Sequence, residues 1–159
     1  MNSAPQRKLQ LIDRAAHSFW FHVAFATNDQ EHINQHFGSC KALAVYGLDD
    51  AQAGLVEVIQ FNPTIAGHDQ GKLMARYQAL ENCAAVYCNA IGPSAVGHLL
   101  ATGVQPVKVS AGMSIHQALI ELHQQLLDGP RGWLAKAMKH QDSNTSHKQQ
   151  LNALLDDEW

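Results

Sequence analysis

Hydrophobic residues in this chain fall into short runs separated by polar, glycine-bearing or proline-bearing stretches, and the period of each run predicts its element. Trp20 to Ala26 (WFHVAFA) is aromatic and β-branched and reads as a buried strand. Ala42 to Leu48 (ALAVYGL) is a second strand, and Leu55 to Phe61 (LVEVIQF), which alternates in part, is a third. The short connection through Asp49, Asp50 and Gly54 makes these two an antiparallel hairpin. The period then changes. Leu73, Tyr77 and Leu80 lie at helical spacing, with Asp69 as a candidate cap. Ala84 to Cys88 is a short strand, followed by the loop Asn89-Ala90-Ile91-Gly92. Pro93 suits the first position of a helix with Val96, Leu99 and Leu100 on one face, and Gly103 ends it. Gln105 to Val109 is the last strand, where Pro106 marks a start or an edge. Ser114-x-x-Gln117 has the form of a capping box before an amphipathic helix through Ile115, Ala118, Leu119, Leu122 and Leu126. Gly129-Pro130 breaks that helix, and Trp133, Leu134 and Met138 predict a short one that folds back.

The order β-β-β-α-β-α-β-α predicts an α/β sandwich on a mixed five-stranded sheet, with the strand–helix–strand unit over 84–109 parallel and right-handed. A chain of 159 residues holds one domain with short tails. The pattern assigns 1–18 to a flexible N-terminal arm with an apolar patch at Leu9, Leu11 and Ile12, 19–138 to the domain, and 139–159 to a polar C-terminal tail. Leu151, Leu154 and Leu155 could add a terminal helical turn to that tail.

Composition narrows the function. The apolar fraction of 46% against a charged fraction of 16% supplies a real core. Eleven Lys+Arg against fourteen Asp+Glu give a net charge of −3, which argues against a broad basic surface for nucleic acid. No apolar run approaches the ~20 residues that cross a bilayer. The start, Met1 to Lys8, has no apolar segment behind its charges and does not read as a signal peptide, so the expected location is cytoplasmic. Three cysteines, Cys40, Cys83 and Cys88, are an odd count that suits reduced thiols rather than a disulfide framework. No exposed apolar stripe stands out, and a monomer is expected.

Two constellations carry candidate chemistry. In Asn34-Gln35-His36-Phe37-Gly38 with Cys40, an imidazole and a thiolate suit iron, zinc or an iron–sulfur species. Gly38 permits a tight turn beside His36, and if 36–40 is one helical turn, His36 and Cys40 share a face. His-x-x-x-Cys alone is a weak pattern, because metal sites usually take three or four ligands; on spacing alone a loop histidine and a buried thiol fit it better. The second constellation is Cys88-Asn89-Ala90-Ile91-Gly92-Pro93-Ser94, at the carboxyl end of a strand and the start of a helix. Ligands of open α/β sheets bind there, and free N–H groups favour an anion, although an ordinary strand-to-helix connection looks the same. Cys83 reads as core, His98, His116 and His123 as surface residues, and His140 and His147 as solvated spacer. Phosphate-loop, Cys-x-x-Cys, Gly-x-Ser-x-Gly and His-Glu-x-x-His motifs are absent, and the first strand carries no carboxylate for two-metal phosphoryl chemistry.

Val23-Ala24-Phe25-Ala26-Thr27 followed by Asn34-Gln35-His36-Phe37-Gly38, together with Ala85 to Gly92 and Gly103-Val104-Gln105-Pro106-Val107-Lys108-Val109, resembles the nitrogenase cofactor carrier family, the NifX, VnfX and NafY core domain. The ending Gly-Pro-Arg-Gly-Trp-Leu-Ala-Lys-Ala-Met over 129–138 is similar to the NifX branch. The resemblance covers about 20–138. It implies a three-layer α/β/α, ribonuclease-H-like fold and no catalysis. It implies transient binding of iron–sulfur cofactor precursors, or of finished iron-molybdenum or vanadium-type cofactor, passed between a precursor-synthesising protein, a scaffold complex and apo-dinitrogenase. The family's cluster-binding histidine maps to His36, the expected metal ligand. Cys40 and Cys88 would be second contacts, Gly92 and Ser94 would offer helix-start N–H groups, and Lys108 could supply charge. A competing reading is a protein-interaction chaperone or regulator of apo-dinitrogenase, in which Trp133, the C-terminal tail and the polar 27–35 loop outweigh His36.

Overall fold

The computed structural model describes residues 19–62 and 69–139. The elements follow the predicted order: β1 (Phe21–Thr27), a 3₁₀ turn (Phe37–Ser39), β2 (Ala42–Leu48), β3 (Ala53–Gln60), α1 (Asp69–Ala79), β4 (Ala85–Cys88), α2 (Pro93–Ala101), β5 (Gln105–Lys108) and α3 (Ile115–Asp128). A further helix, α4, spans 132–139. The Leu9, Leu11 and Ile12 patch, His140, His147 and the Leu151, Leu154 and Leu155 turn lie outside the described residues.

The strands form one sheet in the order β3-β2-β1-β4-β5. β2 is antiparallel to β1, from Phe21↔Leu48 to Thr27↔Ala42, and β3 closes a hairpin on β2 with a bulge at Val45/Tyr46. The hairpin turn is an Asx turn: the Asp49 carboxylate accepts from the N–H groups of Ala51 at 2.9 Å and Gln52 at 2.8 Å. β4 runs parallel to β5, as the 84–109 pattern predicts, and it also runs parallel to β1. Pro106 sits on β5, an edge strand, where a missing N–H costs least. The consequence for function is directional. The carboxyl ends of β1, β4 and β5 and the amino end of β2 all lie at one end of the sheet.

Two cores cover the two faces, which makes the molecule a three-layer α/β/α sandwich. On β1, Phe21, Val23 and Phe25 point to one face and Ala24 and Ala26 to the other, following the period of two. Both sets are buried, so the strand reads as a continuous apolar run rather than an alternating one. The first face packs Leu43, Val86 and Cys88 against Phe37, Cys40 and Leu80 and against Ala95 and Leu99 of α2. The second packs Phe25, Ala44, Leu48 and Tyr87 against Ile115, Ala118 and Leu122 of α3 and Leu134 of α4.

The helix ends follow their sequence signals. α2 starts with Gly92 in extended backbone followed by Pro93, and stops before Gly103, whose φ is +85°. At α3 half of the capping box forms. Ser114 Oγ accepts from the Gln117 N–H at 2.9 Å, but the Gln117 amide donates along the helix to Glu121 Oε1 at 3.3 Å instead of reaching back.

Candidate functional site

Three loops leave the carboxyl ends of β1, β4 and β5, and backbone and side-chain hydrogen bonds join them into one surface. The N–H of Asn89 donates to the carbonyl of Gln35 at 3.0 Å, and the N–H of Phe37 donates to that of Ala90 at 2.8 Å. His36 and Ala90 form a parallel bridge. Ile33 N–H donates to Met113 O, and Ile115 N–H to Glu31 O, both at 2.8 Å. Asn89 is the brace at the centre. Its side-chain amide donates to Ile33 O at 2.7 Å and to Val109 O at 3.2 Å, so one residue ties the β1 loop to the end of β5. The β1 loop is also closed on itself, because Asn28 and Asn34 exchange bonds: Asn28 N–H to Asn34 Oδ1 at 3.1 Å and Asn34 Nδ2 to Asn28 Oδ1 at 2.7 Å.

On this braced frame His36 is exposed. Phe37, the next residue, is completely buried and anchors the turn in the core. The face-sharing expectation for His36 and Cys40 is corrected here. The turn between them is 3₁₀ and three residues long, His36 caps it in extended backbone, and the chain leaves it extended at Cys40. His36 therefore faces solvent while Cys40 is 0% exposed. Gly38 is not held at positive φ, and a Cβ there would meet Leu73 Cδ2 at an ordinary 3.9 Å, so the turn does not require glycine.

Cys88 joins Cys40 in the same core cluster. Burial pushes the Cys40 thiol up despite the opposing pull of the Arg76 guanidinium. Burial, reinforced by Cys40, pushes Cys88 up to about 11. Both are neutral thiols near neutral pH, and a neutral buried thiol is a poor ligand. Cys83 is core, as expected, with burial raising it to about 12. Gly92 and Ser94, by contrast, are exposed at the start of α2, two and four residues beyond Ala90. The Gly92 cap has no side chain to occupy the helix N–H groups. Lys108 is exposed at the end of β5, in register with Cys88.

Features without a clear sequence signal complete the site. Phe37, Tyr77 and His98 stack: Phe37 and Tyr77 centroids are 6.1 Å apart, and Tyr77 and His98 centroids 3.8 Å apart with planes 14° from parallel. His98 is exposed, as expected, yet its ring is fixed on Tyr77. His123 reaches across to the β2–β3 turn, where Nε2 donates to Asp50 O at 2.6 Å. Trp133 packs edge-on against Phe21 at 6.4 Å and belongs to the second core.

Within the β1 loop, Asp29, Glu31 and His32 bring ligand atoms within 4.8 Å of one another. Asp29 is already spent on the loop itself. Its Oδ1 accepts from the N–H groups of Glu31 and His32, both at 2.8 Å, and its Oδ2 faces His32 Nδ1 at 2.9 Å. Those donors hold its carboxyl well below the usual carboxylate range.

The dinitrogenase iron-molybdenum cofactor family, taken as a whole, matches residues 20–125 of this sequence. The chain belongs to that family. Protein NifX of Azotobacter vinelandii is 41% identical over 137 residues, which span 86% of this chain and 87% of that protein. Protein NifX of Klebsiella pneumoniae is 33% identical over 137 residues, spanning 86% and 83%. The apo form of the orange protein from Desulfovibrio gigas shares the fold with a TM-score of 0.51, at 21% identity, over 71% of this chain and 92% of that one. The family and its NifX members tie the chain to biosynthesis of the nitrogenase iron-molybdenum cofactor, as the His-Phe-Gly and Gly-Val-Gln-Pro-Val-Lys segments lead one to expect. Among the described residues, no helix is long and apolar enough to cross a membrane.

Proposed function

We propose that this protein is a non-catalytic carrier that binds an iron–sulfur cofactor precursor, or the finished cofactor, through the imidazole of His36 and hands it on. The observation that carries this reading is the contrast at one turn: an exposed imidazole on a backbone braced by three loops, with Phe37 locked into the core beside it. A carrier must release its cargo. One imidazole bond, supplemented by the N–H groups of Gly92 and Ser94 and the charge of Lys108, holds a sulfide-rich anion without enclosing it. Cys40 and Cys88 stay outside this donor set, since both are buried and protonated. The partners follow from the role: a cofactor scaffold that supplies the cluster and apo-dinitrogenase that accepts it.

The test mixes the anaerobically purified protein with an isolated iron–sulfur cofactor precursor, then gel-filters it and reads iron and visible absorbance. Iron is expected to co-elute with the wild type and not with His36→Ala. Equal iron on both proteins overturns the histidine anchor, and iron on neither overturns the carrier role.

A further inference from the structure

A second surface at the same end of the sheet is basic, and His36 is not among the residues that line it. A groove of about 570 Å³ opens between the amino end of β2, the carboxyl end of β3 and α1. Lys41, Lys72 and Arg76 line it together with Ser39 and Gln30, and no aspartate or glutamate among the described residues does. This cation cluster sits in a chain whose net charge is −3.

Arg76 makes the groove more than a solvated basic patch. Its residue is 5% exposed, so its charge is largely out of water. Buried charges are normally paired with an opposite charge. Here Nη1 donates to Lys72 O at 2.9 Å, Nη2 donates to Cys40 O, and the guanidinium lies 4.3 Å over the Phe61 ring. Those partners are carbonyls and a π-face, with the neutral Cys40 thiol beside them. No carboxylate pairs with the guanidinium among the described residues, and Nε–H has no hydrogen-bond partner. The two carbonyl bonds hold the group in a fixed orientation beside the groove. Lys41, Lys72 and Arg76 line one and the same space, so a ligand inside it faces all three cations.

We propose that this groove is a binding site for a small multivalent oxyanion, a polycarboxylate or a phosphate. Its charge pairs with Arg76, and Lys41 and Lys72 close over it. Charge-assisted bonds to guanidinium and ammonium groups are the strong ones, and two or more anionic groups on one ligand engage all three cations. A monovalent anion leaves at least one of them unmatched. His36 itself does not line the groove, although Ser39 of the turn it caps and Asn28 and Gln30 of the β1 loop do.

The test titrates the full-length apo protein with citrate, with inorganic phosphate and with acetate at constant ionic strength, by calorimetry and by following the Arg76 Nε–H resonance. Saturable one-to-one binding is expected for citrate or phosphate, with acetate much weaker and with the Arg76 Nε–H signal moving as the site fills. The tighter of citrate and phosphate assigns the ligand to the carboxylate or the phosphate class. Lys41→Gln/Lys72→Gln, on two partly or fully exposed side chains, should weaken binding by about tenfold or more and leave thermal stability unchanged. His36→Ala should bind as the wild type does. The proposal is overturned by no saturable binding of citrate or phosphate in the millimolar range, by undiminished affinity in the double variant, or by a static Arg76 Nε–H signal at saturation. An equal loss in His36→Ala also overturns it, by merging the groove with the imidazole surface. Because no cluster is present, failure here leaves the carrier reading untouched.

Discussion

Four positions separate His36 from Cys40, and the 3₁₀ turn between them sends one to solvent and the other into the core. Both side chains are metal-ligand types, and both belong to one short motif. What separates them is the backbone. A full α-turn would stack positions i and i+4 on one face. A three-residue turn entered and left in extended conformation does not, and Phe37 fixes the outcome by filling the core position itself. The comparison teaches that ligand spacing predicts chemistry only through the local conformation that carries it. It also divides the end of the sheet into an exterior that carries an exposed imidazole and an interior that carries buried thiols.

The largest expected effect comes from removing the residue that enforces this division. Phe37→Ala empties a fully buried aromatic site that Tyr77 stacks upon, and it should cost about 3–5 kcal/mol in urea unfolding. A cost below about 1 kcal/mol would mean that the turn is held by its backbone bonds alone. Asn89→Ala comes next. It removes two donors from the carbonyls of Ile33 and Val109 and should cost about 1–3 kcal/mol. Amide exchange at Phe37, whose N–H bonds to Ala90 O, should quicken with it. Unchanged exchange there would show that the loops are joined without the brace.

The thiols respond to pH, and the sign can be worked out. Cys88 is shifted upward by burial from an ordinary value of 9.0 to about 11, so the folded state favours the neutral form. That preference stabilises the fold fully below the unfolded value and is lost as pH rises from 9.0 towards about 11. The melting temperature should fall over this window, and less so in Cys88→Ala than in the wild type. At pH 8 only about a thousandth of Cys88 is thiolate, so native alkylation followed by mass spectrometry should be slow and should become rapid in denaturant. Fast native labelling of Cys40 or Cys88 would put the thiols back among the candidate ligands.

Much of the fold is legible in the sequence, for identifiable reasons. Val23, Phe25, Ala24 and Ala26 fill both faces of β1, and four successive apolar positions read as a buried strand. Gly103 and Gly129 adopt the positive φ that a helix stop favours, so the helix ends were legible as well. The site was legible in part. His-Phe-Gly points to His36, but nothing in the spacing distinguishes an α-turn from a 3₁₀ turn, and the fate of Cys40 depends on that. Asn89 and Arg76 were illegible because their partners lie 56 and 36 positions away in sequence. A brace or a buried cation has no local pattern, since tertiary structure alone supplies its partners.

The smallest expected effects sharpen the comparison most. His36→Ala removes an exposed side chain and should change stability by no more than about 0.5 kcal/mol, so any loss of cluster retention is chemical rather than structural. Gly38→Ala carries the logic one step further. The backbone there does not need glycine, and the added methyl would sit against Leu73 at an ordinary distance of 3.9 Å. Unfolding free energy should therefore stay within about 0.5 kcal/mol of the wild type. A loss well beyond that would mean the turn is tighter than its dihedrals indicate. With the fold intact, cluster retention becomes the informative reading. Retention equal to wild type means that the cargo does not need a bare position 38 to reach His36. Retention lost in a folded Gly38→Ala protein assigns the glycine of His-Phe-Gly to the cargo: an exposed position left bare so that a large cluster can approach the imidazole.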